Sequence, residues 1–135
     1  MAHDGGPVLS AARRRVRYFV LAIATIVVGL TVHLGGGVLP PTFRDVLGDA
    51  LWAAMIVWWI GVAVPHVPLP ARGVAALLIC VAVETSQRWH TPVLDQLRST
   101  LPGQLVLGSG YDPRDFLAYA AGVALAVVLA RTCVE

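Results

Sequence analysis

Residues 46–64, VLGDALWAAMIVWWIGVAV, decide the fold because this long run contains a single charged residue, Asp49. As a helix rising ~1.5 Å per residue, the run is about 28 Å long, close to the hydrocarbon thickness of a bilayer. Pro65 follows it and lacks the backbone N–H that a continuing helix needs. We therefore predict a membrane-spanning helix that ends before Pro65.

Three further apolar runs flank this segment, at residues 16–34, 71–88 and 115–130. The first is as long as 46–64. The other two are shorter, and 115–130 is just long enough for a thin or locally shielded membrane. We predict an all-α fold, an antiparallel four-helix bundle that is integral to the membrane. Its single domain comprises residues 16–131, between a basic tail at 1–15 and a short tail at 132–135.

The composition supports this fold class. Of the 135 residues, 57% are hydrophobic and 13% are charged, whereas about a quarter carry charge in an ordinary soluble domain. The mean hydropathy of +0.73 excludes a disordered chain. The net charge of +2 is too small to indicate a polyanionic ligand, so we expect no nucleic-acid partner.

Four arginines, at positions 13, 14, 15 and 17, accompany the start of the first run. A secretory signal peptide has the same order of charged and apolar residues. The run is longer than the ~7–15 apolar residues of such peptides, and LGGG at residues 34–37 is a poor cleavage site, which favours a retained span. By the positive-inside rule, the cluster predicts a multi-pass cell-membrane protein with both termini in the cytoplasm.

The acidic residues outside the two tails collect at one end of the predicted bundle, which this topology places outside the cell. They are Asp45, Asp49, Glu84, Asp95, Asp112 and Asp115. An ionised group within a span costs a few kcal/mol at mid-depth, so each such residue needs a structural or a functional account.

Helix capping and local ion pairing account for some of these acids. Asp112, which a proline follows, is typical of the N-cap of the fourth helix. The segment from Thr42 to Asp45 resembles a capping box at the start of the second helix. Glu84 has an available ion-pair partner in Arg88, four residues later.

Asp49 has no such local account, because the charged neighbour on its own helix face is Asp45, a like charge four residues earlier. Glu84 lies near a helix C-terminus, where the macrodipole disfavours negative charge. Both carboxylates therefore need partners from elsewhere, and Arg98 and Arg114 are the candidates for Asp49.

The fourth helix contains a seam of small residues formed by Ala118, Gly122 and Ala126. Such a seam lets two helices approach closely. Asp115 and Tyr119 share this face at helical spacing, so close packing carries them into the bundle interior. We expect acids from separate helices to converge there.

Residues 89–111 form a long connection between the third and fourth spans, and long connections are usually functional or disordered. Thr91 and Pro92 supply an N-cap and a first helical residue. Leucines share one face of the following segment, which predicts a short amphipathic helix at the outer interface.

Metal binding and proteolysis are two further functions that the acids could serve. Carboxylates near His33 and His90 could hold a hard divalent cation, but no spacing resembles a dedicated loop, so we predict no metal and no cofactor. Asp49 and Asp115 could formally form an aspartyl dyad, but no supporting motif accompanies them. Enzymatic activity stays open and is disfavoured.

Several polar positions at this end form a recognisable pattern. They are Glu84-xx-Gln87, Arg98, the stretch LGSGYD at residues 107–112, Asp115, Tyr119 and Gly122. The pattern, with Asp49, resembles the bacterial membrane family DUF2809 over residues 17–131. The resemblance implies a bacterial inner-membrane protein with Asp49, Glu84, Gln87, Arg98 and Asp115 as signature positions.

More distantly, the pattern is similar to that of the VanZ-like proteins, four-span proteins of the cell envelope. Their polar positions run Glu-xx-Gln, Arg, Asp and a glycine in the last helix. This similarity implies a role at the cell surface, because some of those proteins lower susceptibility to antibiotics such as teicoplanin. Tyr119 stands where those proteins have asparagine.

We expect an outer-leaflet cluster that binds the head group of a membrane lipid or a cell-wall precursor. The expected ligand-binding residues are Asp49, Glu84, Gln87, Arg88, Arg98, Asp115 and Tyr119. The two arginines would contact anionic oxygens while the carboxylates position them and accept hydrogen bonds. Two alternatives stay open: a structural subunit that binds a membrane-protein partner or a second copy, and an enzyme acting on a lipid-linked substrate.

Overall fold

The computed structural model describes residues 7–108 and 110–135, and the regular elements of this part of the chain are all helices. They are α1 (Pro7–Leu34), α2 (Pro41–Ala63), α3 (Leu69–Ser86), α4 (Pro92–Arg98), α5 (Leu101–Leu107) and α6 (Asp115–Cys133), with a 3-10 turn at Gly36–Val38. The predicted all-α fold class is confirmed. Residues 1–6 of the predicted basic tail, and Ser109 of the LGSGYD stretch, lie outside the described residues.

Four of these helices are long and apolar enough to cross a membrane. The spans are Ser10–Leu34, Pro41–Ala63, Leu69–Ser86 and Asp115–Cys133. This finding confirms the four predicted spans and makes the chain, by length and composition, a multi-pass membrane protein. The cell membrane as its location, the cytoplasmic side of both termini and the division into one domain and two tails stay predictions.

Helix α2 begins five residues before the apolar run that predicts it. Pro41 fits the first turn of a helix because it has no N–H to leave unpaired, and the Arg44 amide already donates to the Pro40 carbonyl at 3.0 Å. The predicted capping box is therefore wrong, since Pro40 is the N-cap and no side chain caps the helix. Asp45 lies beyond the first turn, which leaves its carboxylate available for another role.

The turn before α6 also differs from the predicted helix start. Asp112 Oδ1 accepts a hydrogen bond from the Arg114 amide at 2.9 Å, and its carbonyl accepts one from the Asp115 amide at 3.0 Å. Arg114 is the N-cap residue. Asp112 therefore closes the turn that precedes the helix instead of capping the helix itself, because its side chain reaches a donor outside α6.

Helix α2 is central to the packing and contacts α1, α3 and α6. Tyr18, in the first half of α1, packs on Gly61, near the end of α2. Later in α1 and earlier in α2, the Trp58 indole N–H donates to Thr25 Oγ1 at 3.1 Å. These contacts are those expected for helices that run in opposite directions, and the antiparallel order of the whole bundle stays a prediction.

The small-residue seam of α6 lies against α2. Ala118, Gly122 and Ala126 are buried, and a Cβ atom added at Gly122 would overlap the carbonyl oxygen of Ala50. The backbones of the two helices therefore touch at this point. This close approach draws the first turns of α6, with Asp115, toward the first half of α2.

A buried arginine ties the opposite end of the bundle together. Arg72 Nε donates to the Val67 carbonyl at 2.7 Å, and its Nη2 donates to Glu135 Oε1 at 2.8 Å. The guanidinium also lies over the Tyr18 ring, 5.0 Å from its centroid, and the Tyr18 hydroxyl donates to Glu135 at 2.9 Å. The Pro65 carbonyl accepts a further bond from Nη2 at 3.0 Å. These contacts offset the cost of burying the charge, although Nη1 has no partner among the described residues.

The connection between α3 and α6 contains two short helices. Thr91 caps α4 by accepting a hydrogen bond from the Leu94 amide at 3.2 Å, as its position before Pro92 predicts. The predicted apolar face continues to Leu101, but the chain turns at Thr100, which caps α5 by accepting from Gly103. The place of α4 at a membrane interface stays a prediction.

Candidate functional site

A cavity of about 800 Å³ lies at the end of the bundle where α3 finishes and α6 begins. All four spans, α5 and residues of the 108–112 connection line its wall. The polar and ionisable members of the wall are Thr25, His33, Arg44, Asp45, Asp49, Trp52, Gln87, Gln104, Tyr111, Asp112, Asp115 and Tyr119. The deeper wall is apolar and includes Ile26, Leu51 and Met55.

Carboxylates dominate the charge of this wall. Asp45 and Asp49 come from α2. Asp112 lies in the turn before α6, and Asp115 is the first residue of α6. The side chains of Asp49 and Asp115 lie within hydrogen-bonding range of each other. Two carboxyl groups at this range favour a proton or a cation between them, since two bare negative charges repel.

Glu84 lies behind the wall and is fully buried. Its Oε1 accepts a hydrogen bond from the Asp112 amide at 2.8 Å, and its Oε2 accepts one from the Tyr119 hydroxyl at 2.7 Å. The carboxylate therefore joins the end of α3 to α6 and to the turn before it. The ion pair with Arg88, which the i,i+4 spacing suggested, does not form, and the Arg88 guanidinium lies over the Tyr111 ring instead.

Gln87 lines the cavity and carries a buried, unpaired amide oxygen, which is called the open acceptor below. Only 6% of its surface is exposed, and its Nε2 donates to the Leu107 carbonyl at 2.8 Å. Its Oε1 has no hydrogen-bond partner among the described residues. Gly108 has a positive φ of 69°, and a Cβ atom there would overlap the Gln87 amide, so the glycine and the amide hold each other in place.

Trp52 also lines the cavity and carries an unpaired donor. Its indole Nε1 is buried and finds no partner in the part of the chain that the structure describes. Trp52 follows Asp45 and Asp49 at positions i+7 and i+3, so the three side chains share one face of α2. Trp52 is not among the residues expected from the sequence to bind a ligand, although its helical spacing from Asp49 places it on the same face.

The two arginines expected to bind anionic oxygens do not line the cavity. Arg98 is 8% exposed, and its Nη1 and Nη2 each donate at 2.9 Å, to the carbonyls of Trp89 and Ser86. The Arg88 guanidinium lies over the Tyr111 ring, 4.8 Å from its centroid. Arg98 thus ties α4 to the end of α3, and Arg88 reaches the site only through Tyr111.

Replacing Arg98 by methionine is expected to lower the free energy of unfolding by about 2 kcal/mol, because two carbonyls lose a charged donor. The amides of residues 92–107 should also exchange with deuterium faster. Hydrogen exchange by mass spectrometry measures both effects, with the exposed Arg114→Met as the matched control. Unchanged exchange in this segment would show that other contacts hold α4.

The expected residues thus separate into two groups. Asp49, Gln87, Asp115 and Tyr119 line one cavity, and Glu84 supports it from behind. Their role in ligand binding stays a prediction. In the described residues, no group of three or more His, Cys, Asp or Glu side chains is arranged to hold a metal ion.

This geometry defines a class of protein: a small multi-pass membrane protein with a polar cavity at one end of its helices. Within that class, the chain belongs to the family of proteins of unknown function DUF2809, whose model matches residues 38–123. The match runs from the end of the 3-10 turn into α6 and includes every cavity-lining element except α1. No solved structure matches the chain. The similarity to VanZ-like proteins stays a prediction.

Proposed function

We propose that the cavity binds the polar head group of a membrane lipid or of a lipid-linked cell-wall precursor. The observation that carries the proposal is the cavity itself, which gathers polar side chains from three membrane-spanning helices and from Gln87 at the end of the fourth. Its volume of about 800 Å³ lies within the ~300–1,000 Å³ typical of small-molecule sites. Ionisable groups within membrane spans are costly, and they most often mark a binding site or a transport pathway.

An apolar groove beside the cavity favours an amphiphile over a water-soluble ligand. The groove, of about 410 Å³, lies between α2 and α3 and is lined by side chains such as Ile56, Trp59 and Ile79. It shares Trp52, Met55, Val83 and Val106 with the cavity wall. A head group in the cavity therefore leaves an adjoining apolar path for an acyl or polyprenyl chain.

We assign the side chains distinct roles in binding. Asp49 and Asp115 accept hydrogen bonds from the head group, and Gln87 offers an acceptor while Trp52 offers a donor. Glu84 is a positioning residue, because it fixes Tyr119 and the turn before α6 without reaching the cavity. Arg88 acts only by holding the Tyr111 ring.

We further propose that the cavity opens in the outer leaflet of the cell membrane. The arginine-rich start of α1 lies at the other end of the bundle, where Arg17 Nη1 donates to the Cys133 carbonyl at 3.3 Å. Arginine clusters favour the cytoplasmic side. The acidic end would then face the envelope, where lipids and cell-wall precursors present their head groups.

Native mass spectrometry of protein extracted in a mild detergent tests this function. Wild-type protein is expected to retain lipid, and Asp49→Ala to retain at least ten times less, a change of about 1.4 kcal/mol in binding free energy. Asp95→Ala is the matched control, since Asp95 lies on α4 and does not line the cavity.

Equal lipid retention by Asp49→Ala and wild-type protein would contradict head-group binding in the cavity. Retention of a second protein in place of lipid would instead support a structural subunit. Membrane insertion of each variant is checked by carbonate extraction, because loss of insertion alone would also remove bound lipid.

A further inference from the structure

We infer that the head group bound in the cavity carries a primary amine in its ammonium form, an inference that rests on the proposed function. The inference names the chemistry of the ligand, and three independent features of the cavity lead to it. They are the sign of the charge on the wall, the pairing of two carboxyl groups across helices, and a buried amide oxygen with no partner.

The charge of the wall favours a cation. Four carboxylates line it, at positions 45, 49, 112 and 115, against one arginine, Arg44, and one histidine, His33. The fully buried Glu84 adds a further negative charge directly behind the wall. Arg88 and Arg98, which would have favoured an anion, are directed elsewhere. A head group whose only charge is negative would therefore meet a wall of the same sign.

The contact between Asp49 and Asp115 indicates where the cation binds. These carboxyl groups come from different helices and lie within hydrogen-bonding range of each other. The close packing of Gly122 on Ala50 brings their helices together, so the pairing of the two carboxyl groups follows from a contact between the helix backbones. An ammonium beside the pair donates to both and neutralises their repulsion.

Gln87 distinguishes an ammonium with N–H donors from a quaternary one. Gln87 is only 6% exposed. Its Oε1 has no hydrogen-bond partner among the described residues. The bond from its Nε2 to Leu107 fixes which end of the amide is open. A buried acceptor without a donor costs about 1–3 kcal/mol, so the ligand that binds here best supplies an N–H or O–H group.

Two envelope sources present this chemistry, and both satisfy the same acceptors. One is the ethanolamine head group of a phospholipid, and the other is the free amine of an amino sugar or peptide on a lipid-linked precursor. A choline head group has the positive charge without an N–H donor, and a glycerol head group has hydroxyl donors without the positive charge. These four chemistries separate the contributions of charge and donor.

Isothermal titration calorimetry of purified wild-type protein in maltoside detergent provides the test. The probes are dihexanoyl phosphatidylethanolamine, its N-methyl and N,N-dimethyl derivatives, dihexanoyl phosphatidylcholine and dihexanoyl phosphatidylglycerol. Octyl glucosaminide against octyl glucoside forms the amino-sugar arm. If the ethanolamine probe binds, we expect it to bind at least tenfold more tightly than the choline and glycerol probes. If octyl glucosaminide binds, we expect it to bind at least tenfold more tightly than octyl glucoside. Affinity should also fall with each methyl group added to the ethanolamine nitrogen.

A variant links the preference to the open acceptor. Gln87→Leu is expected to reduce the ratio of ethanolamine to choline affinity from at least tenfold to less than threefold. Gln96→Leu removes an amide from the exposed face of α4 and should leave the ratio unchanged. Because the head-group series is measured on wild-type protein, misfolding of Gln87→Leu would not affect the main result.

The outcomes are distinguishable from those of the proposed function. Tight binding of the ethanolamine probe assigns the amine to a phospholipid, and binding of octyl glucosaminide alone assigns it to a sugar precursor; both support the inference. Equal affinity for ethanolamine and choline, or tighter binding of the glycerol probe, overturns the amine while leaving head-group binding intact. Failure of every probe to bind overturns both.

Discussion

Glu84→Ala is expected to lower the free energy of unfolding by about 3 kcal/mol and the midpoint of thermal unfolding by roughly 10 °C. The carboxylate is fully buried and accepts hydrogen bonds from the Asp112 amide and the Tyr119 hydroxyl. Removing it leaves both donors without an acceptor, and hydrogen bonds to charged groups are worth about 1.5–3 kcal/mol each. Differential scanning fluorimetry in detergent measures the change.

Two further variants test this account of Glu84. Tyr119→Phe removes one of the two donors and should cost less than Glu84→Ala. Glu84→Gln should fall between them, since an amide oxygen can accept from one donor while its NH₂ group faces the other. If Tyr119→Phe has no effect in the Glu84→Ala background, the two side chains act as a pair. A Glu84→Ala protein as stable as wild type would show that the carboxylate does not hold these elements together.

Gly122→Leu is expected to separate α2 from α6 and to cost more stability than any substitution of an exposed residue. A Cβ atom at this position would already overlap the Ala50 carbonyl oxygen, so even alanine forces a backbone shift. Overpacking of a close contact typically costs about 1–3 kcal/mol, and the leucine variant should reach at least the upper value. The same shift should move Asp115 away from Asp49, so retained lipid should also fall.

Gly48→Ala is the matched control on the facing helix. Nothing lies within 4 Å of a Cβ atom added at Gly48, and alanine is favoured over glycine in a helix by about 1 kcal/mol. We therefore expect Gly48→Ala to be neutral or stabilising. Loss of stability in this control similar to that of Gly122→Leu would contradict the role of the close contact. Thermal unfolding and native mass spectrometry measure the two effects.

The spans were predictable from the sequence because length and apolar composition decide whether a helix can cross a bilayer. The starts of the helices were less predictable. α2 begins at Pro41 because two successive prolines fix the backbone before the apolar run starts. The sequence rule for N-caps favoured Thr42 instead, because that rule compares side chains and not backbone conformations. Asp45 was assigned to a cap for the same reason.

The convergence of the acids was predictable for residues on regular helices. Asp49, Asp115 and Tyr119 follow from helical spacing and from the small-residue seam at Gly122. The direction of Arg98 did not follow, because beside its i,i+3 contact with Asp95 it donates to backbone carbonyls, at Ser86 and Trp89, that the turn after α3 presents. Carbonyl positions depend on how a connection folds, and periodicity carries no information about them.

Gly108 has a consequence for comparing members of the family. Its left-handed backbone and its contact with the Gln87 amide leave no room for a side chain. A relative with any larger residue here must change either the backbone of this connection or the amide that offers the open acceptor. The identity of this one residue therefore separates relatives that can keep this connection and the Gln87 amide unchanged from relatives in which one of the two must differ.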